Sequence, residues 1–169
     1  MQALGQVWDE APTPHVDETY TVLPEPTHGD ARLLFDEWRK HTAQSGFIVG
    51  RHVPSRELVS VLPGLCLFEP LRGGLDFRVR LAGTALRRRF GRDITGMKLS
   101  NLFHPMHLDH HCAQMAHIGR TGAAHVLAVR SLRDGRVRLH FELMGLRVLA
   151  ADGRTPWIMT GQFFYDALA

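Results

Sequence analysis

Residues 77–96 read FRVRLAGTALRRRFGRDITG. The opening residues alternate between apolar and Arg side chains, which is the period of a strand that buries one face. Thr84 can cap a short helix over residues 85–90, and Gly91 can end it. In the turn that follows, the carboxylate of Asp93 can accept a hydrogen bond from a neighbouring backbone amide. The stretch therefore predicts a strand that reverses tightly into a short helix and a loop.

Segments on both sides of this stretch predict one antiparallel sheet. They are apolar or alternate with period two, and Gly, Pro or Asp-Gly turns separate them. The five predicted strands are residues 65–69, 77–81, 125–130, 137–149 and 157–165. Helices are predicted over residues 31–41 with Asp30 as the cap, from Pro54 onwards, and over residues 106–118. This order predicts an α+β domain, a five-stranded antiparallel sheet with helices covering one face.

Length and composition narrow the class of protein. The chain has 169 residues, which is the length of one domain, and its hydrophobic fraction of 44% is ordinary for a globular protein. Cys66 and Cys112 are too few for a disulfide scaffold, and the first thirty residues lack the basic start and apolar run of a signal peptide. No apolar run is long enough to span a membrane. We therefore expect a cytoplasmic protein without membrane insertion.

Charge divides the chain into an arm and a body. Residues 1–30 hold six acidic residues and no Lys or Arg, whereas the rest of the chain has 20 basic and 11 acidic residues. Four prolines also fall in this first segment. The pattern predicts an acidic N-terminal arm over residues 1–29, followed by a domain over residues 30–169. The composition favours a disordered tail, and the alternative is an arm that lies on the basic body of its own or a partner subunit.

Two motifs in the opening stretch resemble those of the PAS domain. Residues 80–84, RLAGT, and 91–96, GRDITG, match the Arg-Leu-x-Gly-Thr and Gly-x-Asp-x-Thr-Gly motifs of the stand-alone bacterial PAS family common in α-proteobacteria. Trp38 and residues 54–56 are similar to its lead-in, and the resemblance covers roughly residues 30–165. It implies a sensory or regulatory module that binds a small molecule between the sheet and the long helix, or that mediates dimers.

Residues 104–117, HPMHLDHHCAQMAH, hold the most candidate ligand-binding groups. On a helix, His111, Cys112 and Met115 share the apolar stripe that faces the sheet. We therefore expect these three side chains to form the helix side of a ligand pocket, with two aromatic residues of the last strands opposite them. The predicted ligand-binding residues are His111, Cys112, Met115, Phe141 and Phe163.

Three kinds of ligand remain open for this helix. His107 and His111 have the i, i+4 spacing that lets two imidazoles reach one metal ion, but two ligands make a weak site and Asp109 points elsewhere. His111 alone could ligate haem, or it could hydrogen-bond an organic ligand. An organic ligand is favoured over haem or a metal. The simplest alternative is a set of solvated histidines with one half-buried member bonded to backbone.

Several other activities are disfavoured. A flavin photosensor needs a reactive Cys in residues 97–100, which read MKLS. Residues 87–89 and Arg92 form a basic cluster that can contact phosphates, but no helix-turn-helix or zinc-finger pattern supplies base readout, so DNA is disfavoured as a partner. A nucleotide or the acidic arm fits the cluster better, and a solvated surface is the simplest interpretation. No Gly-x-Ser-x-Gly elbow, phosphate loop or His-Glu-x-x-His motif indicates an enzyme.

The sequence therefore predicts a stand-alone sensory domain without an output domain of its own. It would bind a small ligand, a partner protein or both, and relay the signal by a population shift that alters a homodimer or partner surface. Leu34 and Trp38 on the first helix are the predicted dimer interface. The main alternative is an unliganded dimerisation or protein-interaction module. A haem- or metal-binding sensor and a metal-dependent enzyme are less favoured alternatives.

Overall fold

The computed structural model describes residues 17–133 and 135–165. Residues 1–16 of the predicted arm, and Asp134 of the predicted Asp-Gly turn, lie outside this range. Within it, no helix combines the length and apolar character needed to cross a membrane. The elements in chain order are β1 (Asp17–Val22), α1 (Gly29–Thr42), β2 (Leu65–Leu71), β3 (Asp76–Ala82), α2 (Thr84–Phe90), α3 (Leu99–Leu102), α4 (Pro105–Thr121), β4 (His125–Arg133), β5 (Arg136–Leu149) and β6 (Pro156–Phe164).

The strands form one antiparallel sheet in the order β1-β4-β5-β6-β2-β3. All five predicted strands are present, and the predicted α+β class is confirmed. The sixth strand, β1, belongs to the predicted arm and pairs with β4 from Asp17 opposite Leu132 to Val22 opposite Leu127. Its acidic start resembles a solvated tail, but Tyr20 packs against the sheet cluster that contains Val129. Residues 17–22 are thus joined to the domain.

Helices pack on both faces of the sheet. Leu65 and Leu67 of β2 belong to the core cluster that includes α1, whereas their neighbours Cys66 and Phe68 belong to the cluster that includes α2, α3 and α4. Alternate side chains of a strand point to opposite faces. The sequence pattern predicted every helix on one face, and α1 instead covers the other. We call these the α1 face and the α4 face.

The helix α1 packs on its own domain. Its cap is His28, whose Nδ1 accepts a hydrogen bond from the Asp30 amide at 3.1 Å, so Asp30 is not the cap as predicted. Leu34 is 0% exposed, Trp38 is 7% exposed, and the Trp38 indole N–H donates to the Arg147 carbonyl at 2.7 Å. The prediction that Leu34 and Trp38 form a dimer interface is therefore wrong for these residues. That the protein forms a homodimer remains a prediction, with an interface that does not include Leu34 and Trp38.

A fully buried carboxylate joins both ends of the domain on the α1 face. Glu142 of β5 accepts hydrogen bonds from the backbone amides of Thr27 and His28, each at 3.0 Å, and from the hydroxyls of Thr27 and Tyr165. Burial alone would raise the pKa of Glu142, but the hydrogen bonds from Thr27 and Tyr165 hold it below its ordinary value. The carboxylate therefore connects the entry to α1 with the end of β6.

The stretch at residues 77–96 has the predicted local structure. A Cβ atom at Gly83 would lie 2.2 Å from the Pro63 carbonyl oxygen, so a close backbone approach requires this glycine. Gly91 ends α2 with a φ of +66°, and the Asp93 carboxylate accepts a hydrogen bond from the Thr95 amide at 3.0 Å. The helix predicted from Pro54 does not form, and residues 54–61 are turns and bends. A segment this short gains too few hydrogen bonds to offset the cost of starting a helix.

Candidate functional site

A cavity of about 60 Å³ lies between α4 and the sheet, where the sequence predicts a ligand pocket. Its lining is mostly apolar. The helix contributes His111, Gln114, Met115 and Ile118, and the sheet contributes Phe68, His125, Leu143, Gly145 and Thr160. The space exists partly because Gly145 has no side chain: a Cβ there would lie 2.8 Å from the Ile118 Cδ1 atom. A glycine inside a strand is a sequence signal of such a close approach.

The structure places two of the five predicted ligand-binding residues at this cavity. His111 and Met115 line it. Cys112 is buried in the cluster between α4 and the sheet but does not border the space. Phe141 and Phe163, which were predicted for the sheet side, do not border it. Gln114, His125 and Gly145 line the cavity and were not predicted from the sequence.

Strand alternation explains why Phe163 does not face the cavity. Thr160 lines the cavity, so Phe163, three residues along β6, points to the α1 face, where it lies 5.8 Å from the His28 ring. Phe141 does lie on the α4 face, but it packs with Leu127 and other sheet residues and does not itself border the cavity. Without the strand pairing, the inward face of each strand could not be assigned.

His111 is a neutral, buried imidazole. Its side chain is 7% exposed, and burial, followed by the nearby His110 and His107, lowers its pKa to about 4. The ring centroids of Phe103 and His111 lie 5.1 Å apart. A neutral imidazole offers one hydrogen-bond donor and one acceptor, so His111 can orient a polar group of a bound molecule without adding charge.

Two further polar side chains that line the cavity, Gln114 and His125, are hydrogen-bonded to each other. The Gln114 side-chain amide donates to Nδ1 of His125 at 2.9 Å. Burial, and then the charge of His117, lowers the pKa of His125. With Nδ1 accepting, the ring proton of neutral His125 lies on Nε2. This pair holds Gln114 in one orientation, so the cavity has defined hydrogen-bonding groups in an apolar surround.

The described residues do not form a three-ligand metal site around His107 and His111. Across the described ranges, no three His, Cys, Asp or Glu side chains converge in a way that could hold an ion. The ring centroids of His104 and His107 lie 6.4 Å apart, and those of His110 and His111 lie 5.7 Å apart. No third ligand therefore joins the predicted pair of His107 and His111.

Haem does not fit the cavity as it stands. Pockets that enclose drug-sized ligands are roughly 300 Å³ or larger, several times the volume of about 60 Å³ here. An axial His111 would therefore have no room for a porphyrin beside it. The same size argument excludes a flavin ring system at this position without a large opening of α4.

Both cysteine thiols have raised pKa values. Burial raises the pKa of the Cys66 thiol well above its ordinary value. Burial, followed by the charges of Asp76 and Asp109, raises the pKa of Cys112 to about 11. Both thiols are protonated at neutral pH and act as small apolar side chains.

The match to known proteins agrees with this architecture. Residues 27–163 match the family model described as PAS domain. The chain belongs to the PAS domain family. The match covers most of the chain and confirms the resemblance indicated by residues 77–96. No curated protein and no solved structure matches the chain. PAS domains are sensory and regulatory modules, so this chain is a signalling domain in that general sense.

Proposed function

We propose that this PAS domain senses a small, uncharged organic molecule bound between α4 and strands β5 and β6. The main support is the combination of an apolar cavity with the neutral imidazole of His111 and the Gln114–His125 pair. A charged ligand would be buried here without an opposite charge, which is costly. A mostly apolar molecule with one or two hydrogen-bonding groups fits the lining better.

The size of the cavity limits the ligand further. An engineered cavity of about 150 Å³ binds benzene, so the space of about 60 Å³ holds only a few non-hydrogen atoms in its present form. Met115 borders the space, and its unbranched thioether side chain can change rotamer and enlarge it. A ligand that enters would displace α4 from the sheet. That displacement would change the surface presented to a partner protein or a second copy.

An unliganded interaction module is the second candidate. The small cavity volume favours it, because a few water molecules could hydrogen-bond with His111 and Gln114 and fill the space. In that case α4 has no ligand-dependent position. Binding would then depend on the outer surface alone.

Native mass spectrometry of freshly purified protein, followed by thermal-shift screening with small uncharged compounds, separates the two candidates. Gly145→Ala adds a methyl group toward Ile118 and narrows the cavity. Gly29→Ala is its matched control, because nothing lies within 4 Å of the added Cβ. A bound mass or thermal shift that Gly145→Ala removes and Gly29→Ala keeps supports the sensor. An apo mass with no shift in wild type supports the interaction module.

A further inference from the structure

A second space lies beside the cavity between α4 and the sheet, which we call the ligand cavity. This outer pocket has a volume of about 240 Å³. Its lining comes from the end of α4, the connection to β4 and the first residue of β4: Gln114, His117, Ile118, Ala123, Ala124 and His125. His117 and Ala123 are exposed, so the pocket lies at the surface of the protein. Three of its residues also line the ligand cavity, and the two spaces are therefore neighbours.

The shared residues, Gln114, Ile118 and His125, form the wall between the two spaces. Ile118 is buried, and a Cβ at Gly145 would lie only 2.8 Å from its Cδ1 atom, so this part of the wall is tightly packed. Gln114 and His125 are only half-buried, and a hydrogen bond of 2.9 Å joins them. A hydrogen bond between neutral side chains adds little net stability, because water can replace either partner. A ligand can therefore separate this pair more easily than it can displace Ile118.

Building on the proposed function, we infer that the ligand occupies both spaces and inserts a hydrogen-bonding group between Gln114 and His125. One apolar end fills the ligand cavity beside Met115, and the rest of the molecule lies in the outer pocket. Pockets that enclose drug-sized ligands begin at roughly 300 Å³. The two spaces together reach that volume, whereas the ligand cavity alone, at about 60 Å³, does not.

The two separated side chains specify the inserted group. The Gln114 amide then presents an N–H donor, and Nδ1 of neutral His125 presents an acceptor. A secondary amide or a hydroxyl satisfies both, because each accepts through its oxygen and donates its own hydrogen. An ester or a ketone accepts from Gln114 but leaves Nδ1 of His125 without a donor.

The rest of the lining requires an uncharged ligand. Among the described residues, no Asp, Glu, Lys or Arg lines either space, so a charged group would lose its hydration without gaining an opposite charge. The ligand class is therefore an elongated, uncharged molecule that carries a secondary amide or a hydroxyl a few atoms from one apolar end.

Two probes of the same length test this class. N-butylbutanamide and butyl butanoate have equal numbers of non-hydrogen atoms, but the ester lacks the N–H. Each is titrated into the full chain, and protein-observed NMR gives its Kd. His125→Phe removes the acceptor for the amide N–H. The ratio of the amide's affinity to the ester's should therefore fall about tenfold from wild type to this variant, which is the effect of one hydrogen bond.

Ala123→Phe tests the outer pocket separately. Ala123 lines this pocket and not the ligand cavity, so the added ring fills the outer space alone. Both probes should bind about tenfold more weakly, because one butyl chain loses its buried position. Xenon, which enters small apolar cavities, should bind as in wild type, as measured by xenon NMR. Ala151→Phe is the matched control, since Ala151 is an exposed alanine in the turn between β5 and β6, and it should leave both affinities unchanged.

The outcomes separate this inference from the proposed function. Unchanged probe affinities in Ala123→Phe, or an amide-to-ester ratio that His125→Phe leaves unchanged, overturn the inference, while a small ligand in the ligand cavity stands. Xenon binding without binding of either probe has the same meaning. If xenon also fails to bind wild type, the ligand cavity is closed to small molecules, and the proposed function fails together with the inference.

Discussion

The two faces of the sheet hold their buried polar groups in different ways. On the α1 face, Glu142 is fully buried and accepts hydrogen bonds from two backbone amides and two hydroxyls. On the α4 face, His111 is also buried but borders a cavity. The first arrangement is closed and saturated, and the second leaves hydrogen-bonding capacity for another molecule. The α1 face is therefore packed closely around its buried polar group, whereas the α4 face keeps open space beside its own.

The largest expected effect on stability comes from shortening a buried side chain on the α1 face. Leu34→Ala should lower the free energy of unfolding by about 3 kcal/mol, because Leu34 is fully buried and its loss leaves a void. Met115→Ala should cost less, since Met115 already borders empty space. Urea denaturation measures both. Equal losses for the two variants would remove the distinction between the faces.

A smaller loss is expected from neutralising the buried carboxylate. Glu142→Gln keeps the shape of the side chain but replaces charge-assisted hydrogen bonds with neutral ones. One of the groups that donate to the carboxylate then faces the new NH₂ group, which cannot accept a hydrogen bond. The substitution should lower the free energy of unfolding by about 2 kcal/mol at pH 7. Because the folded-state pKa of Glu142 is lowered, its stabilisation is present above the unfolded-state pKa and is lost as the pH falls through the folded-state value. The variant should therefore lose less stability between pH 5 and pH 3 than wild type, measured by thermal unfolding.

On the α4 face, His111 should make the stability of the protein depend on pH in a higher range than Glu142 does. Burial holds the pKa of His111 at about 4 in the folded protein, below the unfolded-state value of about 6.5. The unfolded state binds the proton first, so stability falls as the pH drops below about 6.5, by about 1 kcal/mol between pH 7 and pH 5.5. His111→Gln should flatten this part of the profile. An unchanged slope would place another group at its origin.

The smallest effect is expected at the surface of α1. Arg39 forms ion pairs with Glu25 and Asp36 at 3.2 and 3.3 Å, and its side chain is 60% exposed. Solvent screening makes such pairs worth less than about 0.5 kcal/mol, so Arg39→Ala should leave the urea midpoint nearly unchanged. A loss of stability as large as that of Glu142→Gln would mean that the exposed side of α1 contributes to stability as much as the buried carboxylate does.

Most of the secondary structure was predictable because its signals are local. Strict alternation at residues 77–81 and the glycine that ends α2 act through neighbours in the chain. The position of β1 was not predictable, since Asp17–Val22 becomes a strand only by pairing with β4. The cap of α1 was misassigned for a related reason: His28 is held by contacts to Glu142 and to the Phe164 carbonyl, both distant in sequence.

The candidate site divides in the same way. The helical period by itself placed His111 and Met115 on one stripe of α4, and the structure confirms that both border the cavity. Which sheet residues face them depends on strand register, because a shift of one residue exchanges the two faces. That is why Phe163 was placed on the wrong face and why His125 and Gly145 were missed, whereas Phe141 lies on the α4 face but does not border the cavity.

Taken alone, the sequence determined the α+β class, the order of strands β2 to β6 and of helices α1, α2 and α4, and the PAS family, since these depend on local periodicity and short motifs. The tertiary structure alone decided that α1 covers the second face, that Leu34 and Trp38 are interior, and that Glu142 joins the two ends of the domain. It also decided where the cavity lies and how large it is. These features arise from side chains that are far apart in the chain and meet only when the sheet is assembled.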